Sequence, residues 1–322
     1  QKDSESIFRL GLIFLNKDNK DLFNINKGIE LVSMAAKNNH LNAICYLGIF
    51  YQLGIFISKD TSRAIKYLTI AAEQGHALAQ NSLGIIYYRE EKYYDLEKSI
   101  MYLTASSNQN LSDASFYLGS IYLEKKQNID LSIHYYSMAA KLGHSLAKYK
   151  LGMIYKNKKY KVFNLDKAIK YFESSNIPDS WFELALFYLN DSINNYHFDH
   201  KKGIKYLQMS SDKGYYQAEH LLASFYDQGK YVQRNIDNAI ESYIHLSNLN
   251  DYKATNNLGI LYKNGDGVKK DIHNAIYYFK KNDDAFSLYN LGKIYYFGDK
   301  EHKDIQNIQE ALKLFEKAGQ KN

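Results

Sequence analysis

The chain has 322 residues, 45% of them apolar, and carries 41 Lys or Arg against 35 Asp or Glu for a formal charge of +6. No run approaches the ~20 apolar residues of a membrane-spanning helix, and the small positive excess is spread without a block of like charge, which gives nucleic acid little to hold. The lone cysteine, Cys45, excludes an internal disulfide framework and any cysteine-based zinc site.

In chain order, one phrase returns every 33 to 38 residues: leucine, a small residue, and an aromatic three positions further on. It runs Leu10-Gly11 with Phe14, Leu47-Gly48 with Tyr51, Leu83-Gly84 with Tyr87, Leu118-Gly119 with Tyr122, and Leu151-Gly152 with Tyr155. It continues as Leu184-Ala185 with Tyr188, Leu222-Ala223 with Tyr226, Leu258-Gly259 with Tyr262, and Leu291-Gly292 with Tyr295. A period of this length marks a solenoid, whose units bury their apolar faces only by stacking on their neighbours.

Each phrase predicts a first helix, A. In 77–88, Ala79, Leu83 and Tyr87 fall at i, i+4 and i+8 on one side of the helix. Glycine inside a helix costs about 1 kcal/mol relative to alanine, so its return at Gly84 and its equivalents requires a steric cause, the close approach of a partner helix. That partner, B, is read from the wide apolar stripe of 64–72, repeated at 28–36, 132–140, 168–176, 203–211, 239–247 and 275–283. Asp60, Asp130, Asp166, Asp237 and Asp271 stand near the B-helix starts, where an acidic or capping side chain serves free N–H groups and the dipole. Gly75-His76, Gly143-His144 and Gly214-Tyr215 read as tight turns into the next A helix. Pro178, the single proline, should end one helix and open the next.

The expectation is therefore an all-α solenoid of about nine helix-turn-helix repeats, continuous over 1–322, with boundaries near 3–40, 41–76, 77–111, 112–144, 145–178, 179–215, 216–251, 252–284 and 285–319.

The phrase Ala79-x-x-x-Leu83-Gly84-x-x-Tyr87 resembles the Sel-one-like repeat, a relative of the tetratricopeptide repeat. The eighth copy matches best, with Ala254, Leu258, Gly259 and Tyr262 followed by Gly265-Asp266-Gly267-Val268, Asp271 and Ala275. The double-glycine loop is missing from the other copies, and the Ala-Ala pair of helix B becomes Ser106-Ser107, Ser174-Ser175 and Ser210-Ser211. The resemblance implies a right-handed superhelix acting as an adaptor, without catalysis. By analogy with tetratricopeptide repeats it also implies that helix A lines a concave face. The residues carried onto that face are Asn81, Tyr88, Arg89, Phe116, Tyr149, Lys156, Asn256, Lys263, Tyr289 and Lys293, together with Glu124, Met153, Phe182, His220, Asp227 and Tyr296. Aromatic, amide and basic side chains in this mixture suit a peptide ligand.

No catalytic set and no cofactor motif stands outside the repeat positions. His197-Phe198-Asp199-His200 has metal-ligand types but no fourth ligand in reach, and reads as a solvated loop. Gly265 to Val268 lacks the preceding strand and the Gly-Lys-Ser/Thr of a phosphate loop. His40, His76 and His144 share one slot in the inter-repeat turn and read as structural, and most of the 31 tyrosines fall on core slots.

The function expected is a protein-protein interaction scaffold or adaptor for a protein or peptide partner, with self-association as a further possibility. Alternatives are a lumenal adaptor of an ER-associated degradation ubiquitin ligase, a secreted bacterial or parasite host-interaction factor, and, more remotely, an RNA-binding helical repeat. The sequence leaves the compartment open.

Overall fold

The computed structural model describes residues 2–191, 198–298 and 303–321. Those residues form eighteen α helices and no strand. They divide into two compact units, 1–175 and 176–322.

In the first unit the helices are α1 (Lys2–Leu15), α2 (Ile25–Lys37), α3 (Leu41–Leu53), α4 (Thr61–Glu73), α5 (Ala77–Arg89), α6 (Leu96–Ser107), α7 (Ser112–Glu124), α8 (Ile129–Lys141), α9 (Ser145–Lys156) and α10 (Leu165–Ser175). The second unit holds α11 (Pro178–Tyr188), α12 (His200–Ser211), α13 (Tyr216–Gln228), α14 (Ile236–Asn248), α15 (Tyr252–Asn264), α16 (Ile272–Lys280), α17 (Ala285–Phe297) and α18 (Ile308–Gln320). Odd-numbered helices are A and even-numbered helices are B. Pro178 occupies the first position of α11, where its missing N–H is not required.

The glycine of the phrase is where each A helix meets its B helix. A Cβ built on Gly84 would lie 2.5 Å from Leu103 Cγ, and one on Gly152 would lie 2.5 Å from the Phe172 ring. Where glycine stands, a Cβ could enter only if the partner side chain shifted, which accounts for a slot filled by glycine or, at Ala185 and Ala223, alanine. The same joint carries hydrogen bonds: Ser99 Oγ donates to the Gly84 carbonyl at 2.8 Å, and Ser132 Oγ to the Gly119 carbonyl at 2.9 Å. The phrase's aromatic stacks on a tyrosine of helix B, as in Tyr51–Tyr67, Tyr87–Tyr102, Tyr122–Tyr135, Tyr155–Tyr171, Tyr188–Tyr206 and Tyr262–Tyr278.

Every B helix starts on an Asx side chain that accepts the N–H three residues on. These are Asn24, Asp60, Asp95, Asn128, Asn164, Asp199, Asn235, Asp271 and Asn307. The same nine residues donate their own N–H to the carbonyl of the phrase's aromatic, for example Asp60 to Tyr51 at 2.9 Å and Asn128 to Tyr122 at 2.8 Å. This refines the expectation for Asp130, Asp166 and Asp237. They lie in the first turn and complement the dipole, while the cap itself is the asparagine two residues earlier.

Between repeats, one residue adopts the left-handed conformation and reverses the chain. It is Gly75, Gly143 or Gly214, with φ of 84°, 90° and 78°, or Asn39, Asn110, Asn176 or Asn250, with φ of 56° to 63°. Glycine enters this region without steric cost, and asparagine is among the few other residues that tolerate it. Asp283, at the last inter-repeat turn, does not take this conformation.

Candidate interaction surface

The residue after that turn caps the next A helix. In His40, His76 and His144 the ring Nδ1 accepts the backbone N–H of Ala43, Ala79 and Ala147. This fixes the proton on Nε2, which reaches back to the preceding A helix: to Glu5 Oε2 at 2.7 Å, Asn42 Oδ1 at 2.9 Å and Asp113 Oδ1 at 3.3 Å. Burial pushes the pKa of His76 and His144 down, against a smaller upward pull from Asp113 on His144. These histidines tie one repeat to the next.

Successive A helices of the first unit also meet directly, α3 with α5 and α5 with α7. Tyr88 of α5 donates its hydroxyl to Glu124 Oε2 of α7 at 3.0 Å, and burial, reinforced by that carboxylate, pushes the phenol up to about 12. Arg89 lies over the Tyr117 ring at 5.2 Å. Phe116 stacks on the capping ring of His144 at 4.5 Å. Tyr149 packs at 6.0 Å from Phe172, and Lys156 is exposed at the end of α9. Among the residues read from the sequence, the first unit thus brings together Tyr88 with Glu124, and links Arg89 and Phe116 through neighbouring aromatic rings.

Asn81 and Asn256, in equivalent slots, are only 4% and 6% exposed. The Asn81 Oδ1 is sealed inside α5's packing with no hydrogen-bond partner. Asn256 is tied to Asn282 and Asp284 in the turn that ends its own repeat and to Ser287 of the next. Both amides belong to the joint between repeats, and neither is open to a partner in this arrangement.

In the second unit the open part of the A layer is basic and aromatic. Lys263 of α15 is half-buried, and its pKa is pushed down by burial and by the neighbouring Lys293 of α17. Lys293 lies 5.5 Å from the Tyr289 ring. No carboxylate of the described residues pairs with either ammonium. Tyr289 is 50% exposed. Further along, burial and Asp266 push the Asp227 carboxyl up, and burial pushes His220 down, its Nε2 buried without a hydrogen-bond partner.

Tyr243, on helix B, was not anticipated as part of this layer. It is 1% exposed, and its hydroxyl interacts with Asp227, Ser224 and Asn257 while burial pushes its pKa up. The signal available was a hydroxyl-bearing ring in a slot otherwise filled by Leu, Val or Phe. Tyr136 occupies the same slot and bonds Ser120 at 3.0 Å.

Of the loop considered for metal, Asp199 is engaged as the cap of α12, and His197 lies outside the described residues. Among the described residues no group of three or more His, Cys, Asp or Glu is placed to hold a metal ion. No described helix is long and apolar enough to cross a membrane.

The Sel1 repeat signature matches residues 4–40, 41–76, 77–111, 112–144, 145–175, 181–215, 217–241, 253–281 and 285–322. The chain belongs to the Sel1 repeat family. Sel1 repeat proteins generally mediate protein-protein interaction, and their fold is a scaffold fold.

The c5321 protective antigen of uropathogenic Escherichia coli, which has this fold, aligns over 99% of the chain and 69% of its own, at TM-score 0.76 and 22% identity. A Sel1 repeat protein from Oxalobacter formigenes aligns over 87% and 82%, at TM-score 0.67 and 23% identity. In sequence, the sel1-like repeat-containing protein L21 of Acanthamoeba polyphaga mimivirus is 35% identical over 131 residues, 40% of this chain and 24% of the viral protein. The chitin synthase regulator SKT5 of Saccharomyces cerevisiae is 24% identical over 258 residues, 75% of this chain and 36% of the yeast protein. The chain thus spans a quarter to about a third of these curated relatives.

Proposed function

We propose that this chain is a non-enzymatic scaffold whose A-helix layer binds a segment of a partner protein, with the partner's carboxylates meeting Lys263 and Lys293. The observation that carries this reading is the pair of half-buried lysines on adjacent A helices, each without a carboxylate partner among the described residues, with burial and then the neighbouring Lys293 disfavouring the charge of Lys263. Two such ammonium groups cost stability unless an anion joins them, and the exposed face of Tyr289 beside them offers a rigid apolar contact at small entropic cost. Tyr88, Arg89, Phe116, Tyr149 and Lys156 extend the same reading into the first unit. Because the helices hold these side chains before binding, little ordering is required of the scaffold.

The yeast relative regulates a chitin synthase, as its name states, so regulatory proteins and enzymes of polysaccharide synthesis are the first partner class to try. The test is affinity capture with the chain, identification of the bound protein, and calorimetric titration of its binding segment. Replacing Lys263 and Lys293 with Glu should weaken that binding by about tenfold or more, from two lost charge-assisted contacts, with the melting curve unchanged. Lys156→Glu tests the first unit in the same way. Equal affinity for all variants refutes the assignment of this face.

A further inference from the structure

Contrary to the even spread read from the chain-wide balance, positive charge gathers in one part of the first unit. Between Asp130 and Asp166 the chain carries seven lysines and no Asp or Glu. Three of them, Lys158, Lys159 and Lys161, belong to the loop 157–164 that joins α9 to α10, and all three are exposed. Hydrogen bonds pin this loop. The Asn157 Oδ1 accepts the Lys159 N–H at 3.0 Å, the Phe163 N–H donates to the Tyr160 carbonyl at 3.0 Å, and the Asn164 N–H closes on the Tyr155 carbonyl at 2.8 Å. Tyr160 and Val162 pack on the cluster of Tyr136, Leu151 and Ile154. That leaves the three lysines on the outside together with Phe163, which is 38% exposed.

The preceding A-to-B loop, 125–128, adds Lys125 and Lys126, both exposed. It lies beside loop 157–164, because Leu123 and Ile129 at its two ends pack on the same cluster as Tyr160 and Val162. Other neighbouring loops of this kind are joined by opposite charges, Lys59 to Glu90 at 2.7 Å and Arg234 to Asp266 at 2.7 Å. Lys126 reaches back in the same way to Glu97 at 2.9 Å. Here the pairing stops. Neither loop contains an acid, and Lys125, Lys158, Lys159 and Lys161 have no carboxylate partner among the described residues. Like charges held side by side repel and favour any anion that joins them.

We propose that this edge of the first unit docks on an anionic lipid bilayer, its four unpaired lysines against the headgroups and Phe163 inserted at the boundary with the acyl chains. A lysine near an anionic leaflet adds about fivefold to affinity, and clusters of four or more suffice for recognition. The apolar residues at the same A-to-B end select a bilayer over other polyanions. Leu53 closes α3, Ile55 follows it and Tyr94 follows α5, and they are 57%, 44% and 48% exposed. Single-stranded nucleic acid stacks its bases on rings and makes no such use of branched aliphatic side chains, whereas a membrane interface takes both. Because the loop is held before binding, little ordering opposes the contact.

Co-sedimentation with vesicles tests this, comparing phosphatidylcholine alone with phosphatidylcholine mixed with phosphatidylserine. The wild-type chain should pellet only with the mixed vesicles, and less as salt rises. Lys158→Glu with Lys159→Glu and Lys161→Glu should weaken that binding by roughly a hundredfold, and Phe163→Ser alone by about tenfold. Lys37→Glu with Lys66→Glu and Lys141→Glu makes the same change of net charge at exposed sites away from this edge and should bind nearly as the wild type does. Lys156 is left intact, so the outcome is independent of the scaffold reading, and unchanged circular-dichroism melts establish that the variants are folded. A wild-type chain that ignores phosphatidylserine, or a control variant as impaired as the loop variant, overturns the proposal. So does tighter binding of labelled single-stranded RNA or polyglutamate than of the mixed vesicles at the same salt.

Discussion

Replacing Gly84 with alanine adds one methyl group that intrinsic helix propensity favours by about 1 kcal/mol, yet it should destabilise the chain. The new Cβ would stand 2.5 Å from Leu103 Cγ, 2.8 Å from Cδ2 and 3.3 Å from the Leu103 nitrogen, where carbon atoms settle about 3.5 to 4.0 Å apart. Leu103 is fully buried against Leu118 and Ile121 and has no free direction in which to turn. Helix α6 must then back away by about 1 Å, which strains the 2.8 Å bond from Ser99 to the Gly84 carbonyl. Overpacking of this kind costs about 1 to 3 kcal/mol, and weakening the buried hydrogen bond adds about 1. After the propensity gain, a net loss of about 1 to 3 kcal/mol is expected in urea titrations followed by circular dichroism. Hydrogen exchange should place that loss in α5 to α7, because repeats communicate only with their neighbours. Gly319→Ala is the internal control: it is helical, its added Cβ meets nothing within 4 Å, and it should be neutral or slightly stabilising. A Gly84→Ala chain as stable as the wild type would refute the close-contact account of the repeat.

The histidine caps predict a pH dependence. His76 and His144 have folded-state pKa values below their unfolded values, so the unfolded chain binds more protons as pH falls through the region below about 6.5. Their contribution is complete above the unfolded pKa and is lost as pH falls towards the folded one, when a proton on Nδ1 also removes the cap. Thermal melts from pH 7.5 to pH 5 should show this decline, and His76→Asn with His144→Asn, which keep a capping acceptor, should flatten it. Cys45, fully buried and with its thiol pushed up to about 12, should resist a disulfide reagent at pH 8 until the chain unfolds. Rapid labelling of the native chain would show that α3 opens far more often than its packing implies.

The stacking architecture was legible because its causes are local. Leu-Gly-x-x-Tyr states both the apolar stripe and the steric gap, and the gap is where the helices touch. The turns were half legible. Glycine announced Gly75, Gly143 and Gly214, but Asn39, Asn110, Asn176 and Asn250 fill the same left-handed slot, and asparagine has too many other roles to be singled out by spacing. Capping was located to within two residues, since Asp130 and Asn128 both suit a helix start and only the backbone decides which one is the cap. The candidate interaction layer was least legible. Helical spacing places Asn81, Asn256 and Lys263 on one side of their helices, whereas burial depends on the turn and the repeat that follow, as Asn282, Asp284 and Ser287 show by enclosing Asn256.

The clamp between each Asx residue and the aromatic before it separates loop length from helix register. The stretch between its two ends holds five residues from Tyr122 to Asn128 and nine from Phe14 to Asn24, yet both close with a 2.8 Å bond. Each clamp thus works as a socket into which foreign peptide could be spliced. Because loop closure becomes costlier only slowly as a loop lengthens, the array could gain or exchange external decorations one repeat at a time while its spine stays in step.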